Sequence, residues 1–170
     1  MRVILYMAIT PNGLIDKKDG SADFLTKKES DSYVRAVKMA GALVIGRKTY
    51  EVLSKQPEFK KFVKAKIKIV VVSRKKLYFS NSNHCVAHSP IGALMELKGL
   101  KQVIVAGGGI LNASFLSKNL IDEIYFDIEP NLFTNGINLF EGGDFDLKLK
   151  LLGTKMLSEN EIQLHYKILK

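Results

Sequence analysis

Short apolar runs recur along this chain, separated by stretches of helical periodicity, and that alternation limits the fold more than any other feature. The runs are Val3 to Ile9, Ala42 to Ile45, Ile67 to Val72, Val103 to Ala106 and Ile124 to Ile128. They are nearly continuous in Val, Ile, Leu and Ala, as strands covered on both faces are. Between them, Ser30 to Ala40 places Tyr33, Val34, Val37 and Ala40 on one helical face. Ile110 to Leu120 does the same with Leu111, Phe115 and Leu116, and Phe59 and Phe62 have the spacing of a further amphipathic helix. Strands that alternate with helices predict a mostly parallel central sheet flanked by helices. The last quarter differs, because Leu147 to Leu157 and Glu161 to Ile168 flank only Ser158-Glu159-Asn160. A connection that short cannot cross over to a parallel neighbour, so an antiparallel hairpin is expected at the end of the sheet.

The expectation is one α/β domain over residues 1–170, since no linker, repeat or low-complexity tract divides the chain. With 46% hydrophobic and 25% charged residues, the chain has the composition of a folded domain. No run approaches the ~18 apolar residues of a membrane helix. The first run breaks at Pro11-Asn12-Gly13, which reads as a strand end and not as a leader peptide. Cys85 is the single cysteine, so neither an intrachain disulfide nor a cysteine-based zinc site is available. His84 and His88 are near it, but strand spacing turns Cys85 away from His84, and no metal site is expected. A cytoplasmic setting is consistent with this cysteine usage. The net charge of +9 draws anions in general. Phe59 and Phe62 lie among the lysines but at the spacing of a helix, and without a recognised motif neither a nucleic-acid nor a membrane partner is expected.

Two strand-to-helix junctions carry the chemistry. Val44-Ile45-Gly46-Arg47-Lys48-Thr49-Tyr50-Glu51 runs from an apolar strand through a glycine into a helix start. A bare backbone there admits a ligand, and the first N–H groups of a helix attract an anion. The same residues also suit a tight turn with Thr49 as a helix cap. Val103-Ile104-Val105-Ala106-Gly107-Gly108-Gly109-Ile110 repeats the arrangement with three glycines, which fits backbone passing against a pyrophosphate or shaping a turn. Neither junction is a G-x-G-x-x-G fingerprint or a Walker A loop. After Ile69 to Val72 comes Ser73-Arg74-Lys75-Lys76, three cations with no ribose-binding carboxylate, which favours the 2′-phosphate of NADPH over NADH.

Thr10-Pro11-Asn12-Gly13-Leu14-Ile15, Gly46 to Glu51 and Ala106 to Gly109, in this order and at these separations, resemble the dihydrofolate-reductase superfamily over nearly the whole chain. The resemblance implies NADPH binding, hydride transfer to a pteridine or pyrimidine ring, and a sheet of about eight strands ending in an antiparallel hairpin. By motif, Thr10, Asn12, Gly13 and Ile15 would lie by the nicotinamide. Gly46, Arg47, Lys48 and Thr49 would hold phosphates, and Ser73 and Arg74 the 2′-phosphate. Gly107, Gly108 and Gly109, flanked by Ala106, Ile110 and Leu111, would line the pyrophosphate. The Pro-Trp pair usual in dihydrofolate reductases is absent. Asp19-Gly20-Ser21-Ala22-Asp23-Phe24, Asp122-Glu123-Ile124, Glu129-Pro130 and Gly136-Ile137-Asn138-Leu139-Phe140 look more like the reductase domain of riboflavin-pathway deaminase–reductases and its stand-alone relatives (the RibD C-terminal type). The D-x-P-x-L-x-x-R segment expected of the riboflavin reductases is missing, and Gln56-Pro57-Glu58-Phe59 stands in its place.

Reduction of a C=N bond needs hydride at carbon and a proton at nitrogen, so a carboxylate beside the ring is useful. Glu29 precedes Tyr33 by four and shares its inward side; Asp31 aligns with Arg35 and Lys38 on a more solvated side. Asp127 alternates with Ile124, Phe126 and Ile128 and is placed to meet Glu29 across a pocket. Glu29, then Asp31 and Asp127, are therefore the candidate catalytic acids, against the alternative that they are solvated or ion-paired. The resulting expectation is an NADPH-dependent reductase of a small heterocyclic substrate, pyrimidine or pterin, resembling 5-amino-6-(5-phosphoribosylamino)uracil reductase of the riboflavin-biosynthesis type. Dihydrofolate reductase and a non-catalytic dinucleotide-binding protein are the alternatives. A homodimer is expected because riboflavin-type relatives commonly form one.

Overall fold

A computed structural model describes residues 1–18 and 24–170. In chain order the elements are β1 (Arg2–Ile9), β2 (Leu14–Lys17), α1 (Lys27–Ala40), β3 (Ala42–Gly46), α2 (Arg47–Leu53), α3 (Pro57–Lys64), β4 (Lys68–Val72), β5 (His84–Ala87), α4 (Pro90–Glu96), β6 (Gln102–Val105), α5 (Gly109–Leu116), β7 (Glu123–Ile128), β8 (Gly136–Asn138), β9 (Lys148–Met156) and β10 (Ile162–Leu169). Eight strands form one sheet in the order β5-β4-β3-β6-β1-β7-β10-β9, and β2 pairs with β8 in a separate antiparallel ribbon. The six strands from β5 to β7 run parallel. The β9–β10 hairpin joins the β7 edge in antiparallel register, with Gln163 opposite Asp127 and His165 opposite Tyr125. The mostly parallel sheet with its terminal hairpin is the architecture read from the sequence.

The apolar runs become strands because their alternate side chains enter two different cores. Leu5, Val44, Val70 and Val105 pack with Ala93, Leu97, Phe115 and Leu116 of α4 and α5 and the segments that follow them. Ile4, Tyr6, Ile45, Ile69 and Ile104 pack on the opposite face with Val34 and Val37 of α1 and Phe59 and Phe62 of α3. Each buried Val, Leu or Ile contributes roughly 1.5–3 kcal/mol of transfer free energy. Helix α1 starts three residues before the segment read from the sequence, because Thr26 caps it, its Oγ1 accepting from the Glu29 N–H at 3.1 Å. Helix α5 stops four residues earlier than its periodicity implies. Asn119 takes φ +53°, and the Leu120 N–H turns back to the Phe115 carbonyl at 3.1 Å. Among the described residues, no helix is long and apolar enough to cross a membrane.

The connections leaving neighbouring strands β3 and β6 run in opposite directions, to β4 on one side and across β1 to β7 on the other. In an open α/β sheet, such a point leaves a crevice at the carboxyl ends of the two strands. The segment from Gly136 to Glu141 seals the far side of α5: the Asn112 Nδ2 donates to the Leu139 carbonyl at 3.0 Å, and the Glu141 N–H to that of Gly109 at 3.2 Å. A Cβ on Gly109 would collide with the Asn138 carbonyl oxygen and lie 3.0 Å from Glu141 Cγ, whereas one on Gly153 of β9 would meet nothing within 4 Å. Gly109→Ala is therefore expected to cost about 2 kcal/mol in urea unfolding, with Gly153→Ala within about 0.5 kcal/mol of the parent. Equal midpoints for the two variants would show that the Gly136–Glu141 segment yields freely.

Candidate functional site

Both glycine junctions lie at the β3/β6 crevice. The register of these strands places Val44 beside Val105, and the two chains stay together beyond it. The Ala106 N–H donates to the Val44 carbonyl at 3.0 Å, and the Gly46 N–H donates to the Gly107 carbonyl at 2.8 Å. Gly107 has φ +84°, a left-handed conformation that costs a Cβ-bearing residue about 1 kcal/mol or more, and the Gly107–Gly108 peptide is cis. Gly46 caps α2 and Gly108 caps α5, neither with a side-chain hydrogen bond. By contrast, α1 and α4 are capped by Thr26 and Ser89. Two helices thus start side by side with their first N–H groups uncovered, an arrangement suited to an anion. Thr49 is not a cap; its Oγ1 lies where a Cβ on Gly108 would come within 3.6 Å of it.

Exposed cations follow the ends of the neighbouring strands β3 and β4. Among the described residues, Lys48 is exposed and free of ion pairs, while Arg47 is held by Glu51 at 2.5 Å. At the end of β4, Ser73 is buried and its Oγ accepts from the Lys75 N–H at 3.0 Å, closing a small turn. That turn carries Arg74, Lys75 and Lys76 into solvent, with no carboxylate partner among the described residues. Ile110, at 70% exposure, stands at the rim, whereas Ala106 and Leu111 are packed into the two cores and offer only backbone to a ligand.

The loop after β1 stands beside the crevice. Thr10 is fully buried, and its Oγ1 accepts from the Leu14 N–H at 3.0 Å and lies 2.8 Å from Asn12 Oδ1. Gly13, at φ +82°, completes the turn, and the Asn12 Nδ2 donates to the Phe133 carbonyl at 2.9 Å. Ile15 is half-buried in β2. The loop is tied by the β2–β8 ribbon to the segment that seals α5, so it is held in place from both sides.

Across β1 the electrostatics change sign. Four carboxylates on the α1 face are buried: Glu29 at the start of α1, Asp127 in β7, Glu129 just after it, and Glu161 just before β10. Tyr6 donates to Asp127 Oδ2 at 2.6 Å and Gln163 to Oδ1 at 2.7 Å, with Ser32 Oγ 2.8 Å from the tyrosine oxygen. Burial raises the Asp127 carboxyl above its usual range, and these two bonds oppose the rise. Glu29 is raised well above the usual range by burial and then by the charges of Asp127, Glu129 and Glu161. Burial, with Glu161 and Asp127 nearby, pushes Glu129 up to about 7. Among the described residues, Oε2 of Glu161 has no hydrogen-bond partner, and Glu129 has no side-chain partner, only the Thr26 backbone nearby that lowers its carboxyl slightly. Among the described residues, no group of three or more His, Cys, Asp or Glu side chains is arranged to hold a metal ion.

Glu29 and Asp127 are thus brought together as the sequence implied. Asp31 is not: it is exposed and lies 3.7 Å from Lys61. Glu129, Glu161, Tyr6 and Gln163 were not among the expected site residues. Glu129 continues the Tyr125–Asp127 alternation, which was a usable signal, but nothing local in the sequence ties Gln163 to Tyr6. The segment Asp19 to Asp23, part of the family resemblance, lies outside the described residues.

Comparison with known proteins agrees with this fold. The sequence profile of the RibD C-terminal domain matches residues 1–162. The Bacillus subtilis protein YwjB is 29% identical over 179 residues, covering 97% of each chain. A pyrimidine reductase-like protein of Corynebacterium diphtheriae superposes with a TM-score of 0.80 at 17% identity, over 99% of this chain and 92% of the other. The diaminohydroxyphosphoribosylaminopyrimidine deaminase/5-amino-6-(5-phosphoribosylamino)uracil reductase of Thermotoga maritima gives 0.74 at 18% identity, over 99% of this chain and 56% of that one. At such identities the structures establish a shared fold.

The carboxylate cluster has a thermodynamic signature. Glu129 ionises near 4.5 when unfolded and at about 7 when folded. Its folded form therefore binds the proton more tightly, which adds stability below the lower value and loses it as pH rises through the higher one. Glu129→Gln removes that loss. The variant is expected to gain about 2 kcal/mol over the parent at about pH 8 relative to about pH 5, read from urea midpoints. A difference independent of pH would mean that Glu129 ionises as a solvated carboxylate does.

Proposed function

Because the chain belongs to the RibD C-terminal domain family, we propose that it is an NADPH-dependent reductase delivering hydride to a small heterocycle of the pyrimidine or pterin range. The observation that carries this reading is the meeting of Gly46 and Gly107 at the β3/β6 crevice, in front of two helices with no side-chain cap. Those residues fit a dinucleotide: uncovered N–H groups suit a pyrophosphate, and the exposed cations after β4 suit a further phosphate. Gly46 to Thr49 and Gly107 to Ile110 would hold the phosphates, Ser73 and Arg74 the 2′-phosphate, and Thr10, Asn12, Gly13 and Ile15 the nicotinamide. Bound NADPH supplies the hydride.

The proton is the task of the chain itself. Glu29 is buried among like charges, and both effects hold its carboxyl well above the usual carboxylate range, which suits a group that protonates a ring nitrogen. Asp127 is held by Tyr6 and Gln163 and fixes the floor beside it. The same reading includes a homodimer. Leu149, Leu151, Leu152 and Met156 of β9 are exposed, an apolar surface that a second copy would cover. Sedimentation at micromolar concentration is expected to give a dimer, and a single monomeric species removes that part of the proposal.

Gly108→Ala tests the cofactor site. Gly108 has φ −76°, and its Cβ would meet only Thr49 Oγ1 at ordinary contact distance, so folding is expected to change by less than about 0.5 kcal/mol. Backbone that must touch a pyrophosphate does not accept the methyl group, and NADPH affinity in a fluorescence titration is expected to fall at least about tenfold. Arg74→Ala is expected to weaken NADPH about tenfold more than NADH. Unchanged affinity in folded Gly108→Ala, or equal losses for the two cofactors in Arg74→Ala, would count against the respective placements. Loss of NADPH absorbance with a panel of pyrimidines and dihydropterins then reads the reaction.

A further inference from the structure

One polar side chain in the core beneath α1 and α3 has no part in the site described above. His84 is the first residue of β5 and is 8% exposed. Its register opposite Ile69 of β4 turns it to the face that Phe59 and Phe62 cover, while its neighbour Cys85 packs in the other core. Tyr50 of α2, Phe59 of α3 and Phe79 of the β4–β5 connection enclose the imidazole, at centroid distances of 5.9, 5.5 and 5.8 Å. Tyr50 also meets Phe59 and Phe79 edge-on, at 5.6 and 5.2 Å. The Tyr50 hydroxyl lies 3.3 Å from His84 Nδ1, and Nε2 is buried with no hydrogen-bond partner among the described residues. Tyr50 is the titratable group that faces the ring; α3, the connection and β4 turn Phe59, Phe79 and Ile69 toward it. Among the described residues His84 has no ion pair, and burial alone lowers its imidazole below the usual range. A neutral ring can rest Nε2 against aromatic faces at little cost, but a protonated one buries a charged N–H donor without an acceptor.

The box joins the two elements that carry the phosphate-side residues. Tyr50 follows Gly46 to Thr49 in α2, and Phe79 lies in the connection that starts with Ser73 to Lys76. That connection has little else to hold its middle. From Lys76 to Ser80 it makes no backbone hydrogen bond among the described residues, and Tyr78 is 91% exposed, so Leu77 and Phe79 anchor it by packing. We propose that His84 is the positioning residue of this connection and an acid-sensitive latch: protonation drives the imidazole out of the box, and the turn at Ser73 to Lys76 then loses its fixed place relative to α2. The closed box binds the proton more weakly than an opened one, in which the ring ionises near 6.5. Closure is therefore fully favoured above that value and is lost as pH falls below it, by up to about tenfold in the closed-to-open ratio per pH unit. The consequence for the cofactor rests on the reductase reading, whereas the latch itself does not.

The chain has no tryptophan, so Phe79→Trp places a single indole emitter in the box. Its emission is expected to move to longer wavelength between about pH 7.5 and about pH 5, with the far-ultraviolet circular dichroism unchanged. Adding His84→Phe, which fills the box with a ring that does not titrate, is expected to abolish that move; His84→Gln serves should His84→Phe fail to fold. In the parent chain, the ring resonances of Phe79 are expected to follow the same titration as those of His84. Calorimetry with NADP+ and NAD+, which survive acid, reads the cofactor arm. Over the same range the NADP+ to NAD+ affinity ratio is expected to fall at least about threefold further in the parent than in His84→Phe, because protonation of the phosphate itself is common to both. Emission independent of pH, or the same shift with and without His84, overturns the inference. So does an affinity ratio that follows one pH curve in parent and variant. Emission that shifts only with His84 present, in a protein that binds neither dinucleotide, supports the latch and overturns the reductase reading instead.

Discussion

A parallel sheet covered on both faces leaves one place for a ligand, the loops at the carboxyl ends of its strands. Here the double coverage is complete, with α1 and α3 on one side and α4 and α5 on the other. Side chains in the middle of the strands are committed to packing, so chemistry collects where the strands end. At the β3/β6 crevice the departing chains diverge, and the Gly46–Gly107 hydrogen bond holds their backbones together without side chains between them. Thr10 is placed by the same logic one strand further on. Its hydroxyl is used up within its own turn, which makes the loop after β1 a fixed wall of the site.

The antiparallel hairpin changes the character of the edge it joins. A helical crossover would have brought another apolar layer over β7. The hairpin instead brings Gln163 opposite Asp127 and places Glu161 near the end of the same strand. Burying carboxyl groups together raises the energy of their ionised forms, so Glu29, Asp127 and Glu129 are all raised above the usual carboxylate range. The stability lost in ionising them is offset by the continuous core of the parallel half, where substitutions are felt through packing alone.

Much of the fold was legible because double burial writes itself as uninterrupted Val and Ile. Five of the six parallel strands, the inward faces of α1 and α5, and the final hairpin all followed from that pattern. β5 was missed because His84-Cys85-Val86-Ala87 interleaves polar and apolar residues, with His84 inside an aromatic box of Tyr50, Phe59 and Phe79. β2 and β8 were missed because they are short, and Gly136 is in the ribbon to let Asp16 and Phe133 approach, not to form strand. The cofactor-side residues were readable since each glycine junction is local in sequence. The acids were readable only in part, as Tyr6 and Gln163 are 157 residues apart and meet only once the hairpin has docked.

The net charge of +9 hides this division. Cations on long stems stay solvated at the rim and cost the fold little, so their number says little about where they act. Buried acids are few, but each is expensive to ionise, and the energy of the site is concentrated in them. The total charge therefore describes the surface, while the proposed chemistry rests on the minority sign. That sign is segregated by topology: the parallel half ends in uncapped helices and exposed Lys and Arg, and the antiparallel half closes over Glu and Asp. β1 runs between the two, and its single exit at Thr10 is where an electron-rich ligand on one side and a proton-accepting ring on the other would have to meet.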